Sequence, residues 1–501
     1  MRALRVLLFA IAALTVPAAA NAVAVKNLDM GPNVQVWYVE DHTLPMISMT
    51  AALPAGSAYD PANRPGLANF TADLLNEGAG NLDSQAYQTA LSNRAIRMSI
   101  SPERDYLVIS ILTLSENAKE AFRLLGLALT RPRFDAEAVS RVRTQLVAAI
   151  REEDEDPSTV AAKGFFSTFF KSHPYGHPVS GDLNSVARID RNDLRSFARS
   201  HWVRNGLRIS VSGDADAETL KMLIGSAFGQ LPSRWPPAVP PVKHMGAPGM
   251  HLIPMPVPQP TAIFAVPGLL RSDRDFIPGY VANYILGGGG FSSRLTQEVR
   301  EKRGLTYGVS TAMDSFRKAG IVVGQVATRA GAMRQTIDVV RATMRDMAAS
   351  GPTDKELADA KTYLTGSFPL AFSSNVGIAS QLNAFQRSGL PIGYVEKRNA
   401  LINAVTAADV KRVATRLFQP AKLTIVIGGS LQGPTVPAKP LPGAEKPAAP
   451  AMPPAKPPAK PLAPKTTAPG PKPAVSSGTA AKPREQPKTP AVAPASSPHQ
   501  H

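Results

Sequence analysis

The chain lacks cysteine altogether, and this absence excludes several kinds of chemistry. There can be no disulfide framework, no thiol nucleophile and no lipidated N-terminal cysteine. Common catalytic signatures are missing as well: the sequence has no H-E-x-x-H or H-x-x-E-H motif, no G-x-S-x-G elbow, and no phosphate-binding lysine after a glycine run. The residues alone therefore supply no complete hydrolytic centre.

A dense basic stripe is also missing, although the formal net charge is +17. Arg2 and Arg5 contribute +2, and residues 431–501 contribute +7 from eight Lys and one Arg against two Glu. The remaining +8 is spread over the rest of the chain without a recognisable nucleic-acid-binding motif. We therefore expect no nucleic acid among the partners.

Residues 1–22 have the features of a secretory signal peptide. Arg2 and Arg5 precede an apolar core at residues 6–16, and Ala20-Asn21-Ala22 has the form of an A-x-A cleavage site. The apolar core is about half the ~20 residues that a membrane-spanning helix needs. We predict an exported protein, with a bacterial periplasm as its compartment.

An internal repeat predicts two homologous domains. DLRSFARSHWVRNGLRISVSGD at residues 193–214 aligns without gaps with DVKRVATRLFQPAKLTIVIGGS at residues 409–430, so that Gly213 matches Gly429. A second pair of segments, FDAEAVSRVRTQL and TDKELADAKTYL, corresponds in the same order and at nearly the same offset. Two matches in one order indicate a duplicated unit.

Periodicity predicts an α+β fold in which each repeat forms one domain. Strands are predicted at residues 34–40, 46–53 and 106–114, helices at residues 65–75, 118–132 and 134–153, and a helix followed by a strand over residues 192–214. The predicted boundaries are an N-terminal domain at residues 23–230, a proline-rich linker at 231–259 and a C-terminal domain at 260–430.

The segment at residues 431–501 is rich in Pro, Ala and Lys and holds 20 of the 47 prolines. Such a composition buries too little apolar surface to fold, so we predict a disordered, partly polyproline-II tail. Its positive charge suits contact with an anionic cell-envelope surface. The alternative is a solvated spacer without a dedicated partner.

Two clusters of polar residues have ordinary structural explanations. His173 and His177 are four residues apart, but Pro174, Gly176 and Pro178 around them indicate a loop and not a metal-binding helix face. The acidic run REEDEDP at residues 151–157 lies at a predicted helix end and is typical of a solvated surface.

The stretch GGGGFSSRLTQEVREKRGLTYG at residues 287–308 is the strongest candidate for function. Its glycine run permits close approach of backbone or ligand, and a serine after the run could cap a following helix. Arg300 near the end of that helix and Tyr307 near a predicted strand would make two donors suited to a peptide carbonyl or an oxyanion. The alternative is a glycine-rich loop before an ordinary surface helix.

At this point the sequence resembles the pitrilysin/insulinase family of zinc peptidases. SRLTQEVREKRGLTYGVST matches a family segment of the form R-x-x-x-G-L-x-Y, and the duplicated domains and linker match as well. The resemblance implies two homologous domains, each an antiparallel sheet with helices, which together form half of a clam-shell. It also implies that Arg300 and Tyr307 contact the substrate and stabilise the tetrahedral intermediate.

The zinc motif of the family is degenerate here. In place of G-L-A-H-F-L-E-H the chain has Gly-Leu-Ala-Asn-Phe-Thr-Ala-Asp, so that Asn69 and Asp73 replace the two histidines and Ala72 replaces the general-base glutamate. The third ligand position falls at Ala148 or Ala149. Such a set lacks both the three ligands and the base that zinc catalysis needs, so we predict no metal in this chain.

Some members of the family are heterodimers in which one chain carries zinc and the other carries the Arg/Tyr pair. The resemblance therefore implies a non-catalytic subunit that supplies Arg300 and Tyr307 in trans to a partner holding the Zn ion and cleaving a peptide. By a looser comparison, the glycine run would contact the substrate; its members are Gly287, Gly288, Gly289 and Gly290. Two alternatives are an inactive peptide-binding or scaffold protein of the cell envelope, and a hydrolase with an unrecognised site.

Overall fold

The computed structural model describes residues 24–432. The predicted signal peptide, and the predicted tail from residue 433 onward, lie outside the described residues. Two β-sheets, one from each half of the repeat, are covered by helices, which confirms the predicted α+β class. In this part of the chain no helix combines the length and the apolar character needed to cross a bilayer.

The first half supplies a sheet of six strands. They are β1 (Lys26–Leu28), β2 (Gln35–Glu40), β3 (Met46–Leu53), β4 (Arg97–Pro102), β5 (Leu107–Leu114) and β6 (Arg208–Gly213). The order is β1-β2-β6-β3-β5-β4, and all pairs are antiparallel except β2 with β6. Side chains of β5 alternate between buried and partly buried positions, as expected for a sheet with one face on the core.

The helices of the first half follow the predicted pattern with additions. They are α1 (Leu67–Asp73), α2 (Ser84–Ser92), α3 (Ala118–Thr130), α4 (Ala136–Glu155), α5 (Pro157–Phe170), α6 (Leu183–Arg188), α7 (Arg191–His201) and α8 (Ala217–Phe228). Helix α5, which the sequence analysis did not predict, begins with proline at its first position, and Asp156 accepts a hydrogen bond from the Thr159 backbone N–H.

The second half repeats this plan with a sheet of five strands. They are β7 (Gly249–Ile253), β8 (Thr261–Pro267), β9 (Val309–Ser315), β10 (Gly320–Ala327) and β11 (Thr424–Gly428), in the order β7-β11-β8-β10-β9. Its helices are α9 (Phe276–Asn283), α10 (Met333–Ser350), α11 (Asp354–Gly366), α12 (Asn375–Arg387), α13 (Tyr394–Asn403) and α14 (Ala407–Leu417). Strand β7, which pairs in parallel with β11, lies within the proline-rich stretch predicted as a linker.

The sequence repeat corresponds to a structural one. Helices α7 and α14 begin 216 residues apart, and so do strands β6 and β11. Each helix starts with a capping box. In α7 the side chains of Asp190 and Asp193 each accept a hydrogen bond from the backbone N–H of the other residue, and in α14 Thr406 and Asp409 do the same. The same local interaction therefore begins the same element in both halves.

One helix from each half packs against the sheet of the other half. Phenylalanines of α5, including Phe165 and Phe169, form one cluster with residues of the second sheet such as Ile263 and Val426. In the opposite direction α12 covers the first sheet, with Leu382 against Trp37 and Val39. The two halves are therefore joined through their cores.

The contact of α12 with the first sheet is also polar. Asn383 Nδ2 donates to the backbone oxygens of Thr50 (3.1 Å) and Arg208 (3.0 Å), and Gln386 Nε2 donates to that of Ile209 (3.0 Å). The Ser210 hydroxyl in turn donates to Gln386 Oε1 at 2.7 Å. These buried amides fix the position of the helix as well as its face, because an unpaired buried amide is costly.

Candidate functional site

Helix α1 carries the replaced motif residues. Its start is held by the buried Asp60, whose two carboxylate oxygens accept hydrogen bonds from the backbone N–H groups of Gly66 (2.8 Å) and Ala68 (2.7 Å). Asn69 and Asp73 lie one turn apart on this helix, and Asn69 Nδ2 donates to Asp73 Oδ2 at 3.1 Å. The two residues that stand at the histidine positions thus bind each other.

The donor set on and around α1 does not fit zinc. Ala72 is buried and offers only a methyl group, while Ala148 and Ala149 on the facing α4 are exposed. Desolvation raises the pKa of Asp73 to about 6, partly opposed by the hydrogen bond from Asn69. This single carboxyl cannot replace the three protein ligands that a catalytic zinc ion needs. Within residues 24–432 no group of three or more His, Asp or Glu side chains is arranged to hold a metal ion.

The glycine run begins inside one π-helical stretch, Tyr284–Gly288, and precedes a second, Thr296–Glu301. Such stretches are rare and frequently mark functional sites. Ser293 lies three residues before the second stretch; its hydroxyl donates to the Gly290 carbonyl, and its oxygen is 3.4 Å from the Thr296 backbone nitrogen. The predicted serine is thus close to the helix start, but the residue directly before the π-helical stretch is Leu295, which forms no side-chain cap.

Three of the four glycines are required by the protein's own packing. A Cβ atom on Gly287 would lie 2.5 Å from Thr311 Oγ1 of β9, one on Gly288 would lie 3.0 Å from Asn283 Nδ2, and one on Gly289 would lie 2.9 Å from the Tyr284 carbonyl oxygen. Gly290 differs, because its φ is +58° and open space surrounds it. The loop therefore has an internal side fixed by close contact and an outer tip at Gly290.

Arg300 and Tyr307 both have solvent-exposed surface, and Arg300 lies beside the loop. The Arg300 guanidinium lies over the Phe291 ring, 4.6 Å from its centroid, and its Nε is 3.5 Å from Glu301 Oε1. Tyr307 is 90% exposed, two residues before β9 begins. Within the described chain, no hydrogen bond or cation–π contact joins the two side chains. Both are therefore open to an external group.

The helix that carries Arg300 has a charged side and an apolar side: Lys302 Nζ donates to Glu298 Oε1 at 2.6 Å, while Leu295 and Val299 are fully buried. Two aromatic contacts were not predicted, namely Phe291 under Arg300 and Tyr284 stacked on the exposed Tyr363 with ring centroids 5.3 Å apart. Both depend on how the loop folds back. The adjacency of Phe291 to the glycine run was the only sequence signal.

The remaining candidates have structural roles. His173 uses both ring nitrogens, with Nε2 2.9 Å from the Pro240 carbonyl oxygen and Nδ1 accepting from the Tyr175 backbone N–H. Burial lowers the pKa of His177 and favours its neutral form. In the acidic run, Glu153 and Asp154 both pair with Lys163.

Strands β4 and β9 lie at the edges of their sheets, β4 beside α1 and β9 beside the glycine run. In β4 exposed side chains alternate with partly buried ones, and the exposed ones are Arg97, Ser99 and Ser101. An edge strand presents unpaired backbone N–H and C=O groups, which can pair with an extended peptide.

Comparison with known proteins points to one family. Residues 35–183 match the insulinase family (peptidase family M16), and residues 188–364 match the peptidase M16 inactive domain. The chain is 26% identical over 384 residues to the non-peptidase homolog YmxG of Helicobacter pylori, covering 76% of this chain and 87% of the relative. It is also 26% identical over 394 residues to an uncharacterized zinc protease of Mycobacterium leprae, covering 77% of this chain and 86% of that protein.

A solved structure shares the whole architecture. The peptidase M16 inactive domain from Pseudomonas fluorescens superposes with a TM-score of 0.76 at 29% sequence identity, covering 81% of this chain and 98% of that one. The two family matches together span most of the described residues. The chain therefore belongs to the peptidase M16 family, as a member in which other residues occupy the positions of the zinc motif.

Proposed function

We propose that this chain is the non-catalytic subunit of an exported, heterodimeric zinc peptidase. A homologous partner holds the Zn ion and the general base, and this chain supplies Arg300 and Tyr307 to the shared cavity. The bacterial periplasm is the proposed compartment. The basic tail is proposed to contact an anionic surface of the cell envelope.

The observation that carries this proposal is the contrast between the two halves. On α1, Asn69 and Asp73 are engaged with each other and Ala72 is inert, so no catalytic metal chemistry is available there. In the second half, Tyr307 is 90% exposed, and the Arg300 side chain, which lies against the Phe291 ring, is 35% exposed. Both donors of the family segment are therefore present, and each has surface that a substrate can contact.

The donors would act on the charge that develops on the peptide carbonyl oxygen. A guanidinium and a phenol that donate hydrogen bonds to that oxygen stabilise the negative charge as it develops. The substrate is an extended peptide segment, because β4 and β9 offer edge backbone groups to it. The open tip at Gly290 lets the peptide pass close to the backbone.

The test is peptide hydrolysis by the complex of this chain with a zinc-bearing homologue recovered by pull-down from the periplasm. Arg300→Ala and Tyr307→Phe should each lower kcat/KM by roughly 10²–10³-fold, the usual effect of removing one oxyanion donor. Size-exclusion chromatography should show the complex intact. Arg303→Ala and Tyr363→Phe, neighbours of the same residue types, are the matched controls. If the two donor variants hydrolyse peptide as fast as wild type, the trans-acting site is wrong.

The second candidate is a peptide-binding or scaffold protein without proteolysis, which the name of the H. pylori relative favours. The same pull-down separates the two. Recovery of a partner with an intact H-x-x-E-H motif supports the subunit, whereas recovery of peptide without such a partner supports the scaffold.

A further inference from the structure

A second pocket, separate from the proposed peptidase site, lies on the first half. It is bounded by the end of α3, by α7 and by the segment after α8, and its volume is about 520 Å³. Phe134 and the buried Trp202 form part of its wall, with ring centroids 6.4 Å apart. This volume suits a small ligand or one end of a larger one.

Four arginines surround this pocket. They are Arg131 after α3, Arg195 and Arg199 one turn apart on α7, and Arg234 after α8. No carboxylate is among the lining residues. A guanidinium stays protonated at any physiological pH, so the pocket gathers four positive charges over an apolar floor.

Acidic residues close in sequence to the pocket arginines are already engaged elsewhere. Asp135 pairs with Arg133 (2.6 Å) and lies 3.8 Å from Arg191, and Asp193 pairs with Arg64 (3.1 Å). Asp190 caps the start of α7 by accepting from its backbone N–H groups. Within residues 24–432, none of the four pocket arginines forms an ion pair. Their mutual repulsion is therefore uncompensated by the protein itself.

We propose that this pocket binds a phosphate ester with an apolar body. Guanidinium groups match the oxygens of a phosphate in a bidentate fashion. Four positive charges favour a phosphate group over a single carboxylate, because a phosphate monoester carries close to two negative charges. The phosphate lies among the arginines, and the apolar part of the ligand lies against the less buried apolar lining residues, Pro132 and Pro232.

The site is independent of the peptidase proposal, because none of its lining residues belongs to α1, to the glycine run or to the segment of Arg300 and Tyr307. The ligand can be a soluble phosphate ester or the head group of an anionic lipid. Both present the same chemistry to the arginines, so the experiment has to separate them.

The test is calorimetric titration of the full exported chain with monohexyl phosphate and with inorganic phosphate. Monohexyl phosphate should bind saturably at one site per chain. Its affinity should exceed that of inorganic phosphate by about tenfold or more, because binding removes its alkyl group from water. The double variant Arg195→Gln with Arg199→Gln should lose about tenfold or more of that affinity. The matched control is Arg334→Gln with Arg345→Gln on α10, two exposed arginines outside the pocket, which should bind like wild type.

Co-sedimentation with vesicles identifies the source of the phosphate. Vesicles of phosphatidic acid in phosphatidylcholine should retain the double variant less than the control if the ligand is a lipid head group. If vesicle binding is equal while monohexyl phosphate binding is lost, the ligand is a soluble ester. Absence of saturable monohexyl phosphate binding to wild type, or equal affinity in the double variant and the control, would overturn the proposal.

Discussion

Asn69 and Asp73 occupy two positions that a zinc-bearing relative would give to histidine, and the helix that carries them is otherwise undisturbed. Asp60 still fixes its first turn, and Phe70 is fully buried beneath it. The loss of the metal site is therefore a matter of side chains and not of the helix. Restoring the side chains should restore metal affinity.

We predict that Asn69→His with Asp73→His creates a zinc site, since residues four apart on a helix lie on one face. A third ligand on α4 should raise the affinity of this site for zinc by about tenfold or more. Competition with a chelator measures the affinity. Comparing Ala148→Glu with Ala149→Glu in this background identifies the third position. Failure of all these variants to retain zinc would show that α1 and α4 no longer hold the required geometry.

A second prediction at this scale concerns His42. Its Nδ1 lies 2.6 Å from Asp214 Oδ1 and its Nε2 lies 3.1 Å from Glu40 Oε1, and these two carboxylates raise its pKa above the ordinary value. The folded state thus favours the protonated ring. This contribution to stability is fully present below pH ~6.5 and is lost as pH rises through the raised pKa.

The melting temperature of wild type should therefore fall more between pH ~6 and ~9 than that of His42→Gln. His244→Gln, at an exposed histidine, should follow wild type. Parallel curves for His42→Gln and wild type would contradict the assignment.

The helices and strands that were predicted best from the sequence are those in which a capping residue and an apolar face on the core indicate the same element. The pair α7 and β6 and its repeat α14 and β11 have amphipathic periodicity and matching caps. Helix α5 was missed, although Phe165, Phe166, Phe169 and Phe170 lie within one arc of about 140° on its surface. Strand β7 was hidden among prolines, and the π-helical stretches have no sequence signature.

The glycine run was predicted as a site of close approach, but the sequence could not show what approaches it. The space beside Gly287, where a Cβ atom would lie, is filled by Thr311 of β9. The two residues are far apart in the sequence, so their contact forms only in the tertiary structure. The contact of Arg300 with Phe291, nine residues earlier, depends on how the loop folds back onto the helix. Motif spacing thus located the residues of the candidate site, while their contacts required the tertiary structure.

We predict that Gly287→Ala destabilises the protein by about 1–3 kcal/mol, since the new methyl group would overlap Thr311 Oγ1 and Leu295. Gly331→Ala is the matched control, because open space surrounds that glycine, and it should change stability by less than about 0.5 kcal/mol. Chemical denaturation measures both. Equal effects would mean that the loop relaxes freely.

For the molecule as a whole, the exchange of α5 and α12 makes each half dependent on the other. We predict that Leu382→Ala, which empties a fully buried site between α12 and the first sheet, costs about 2–5 kcal/mol. Hydrogen exchange should increase in β2 and β6, far away in the chain. Val376→Ala, on the exposed side of the same helix, should leave that exchange unchanged; the idea fails if β2 and β6 stay equally protected in Leu382→Ala.

The exchange of α5 and α12 also affects the order in which the two halves can fold during synthesis. The first sheet is complete in sequence at Gly213, yet the helix that covers it begins only at Asn375. During synthesis from the N-terminus, the apolar face of the first sheet that α12 covers therefore stays exposed until most of the second half has been made. We infer that stable folding of the first half waits for α12, which would suit the export proposed above.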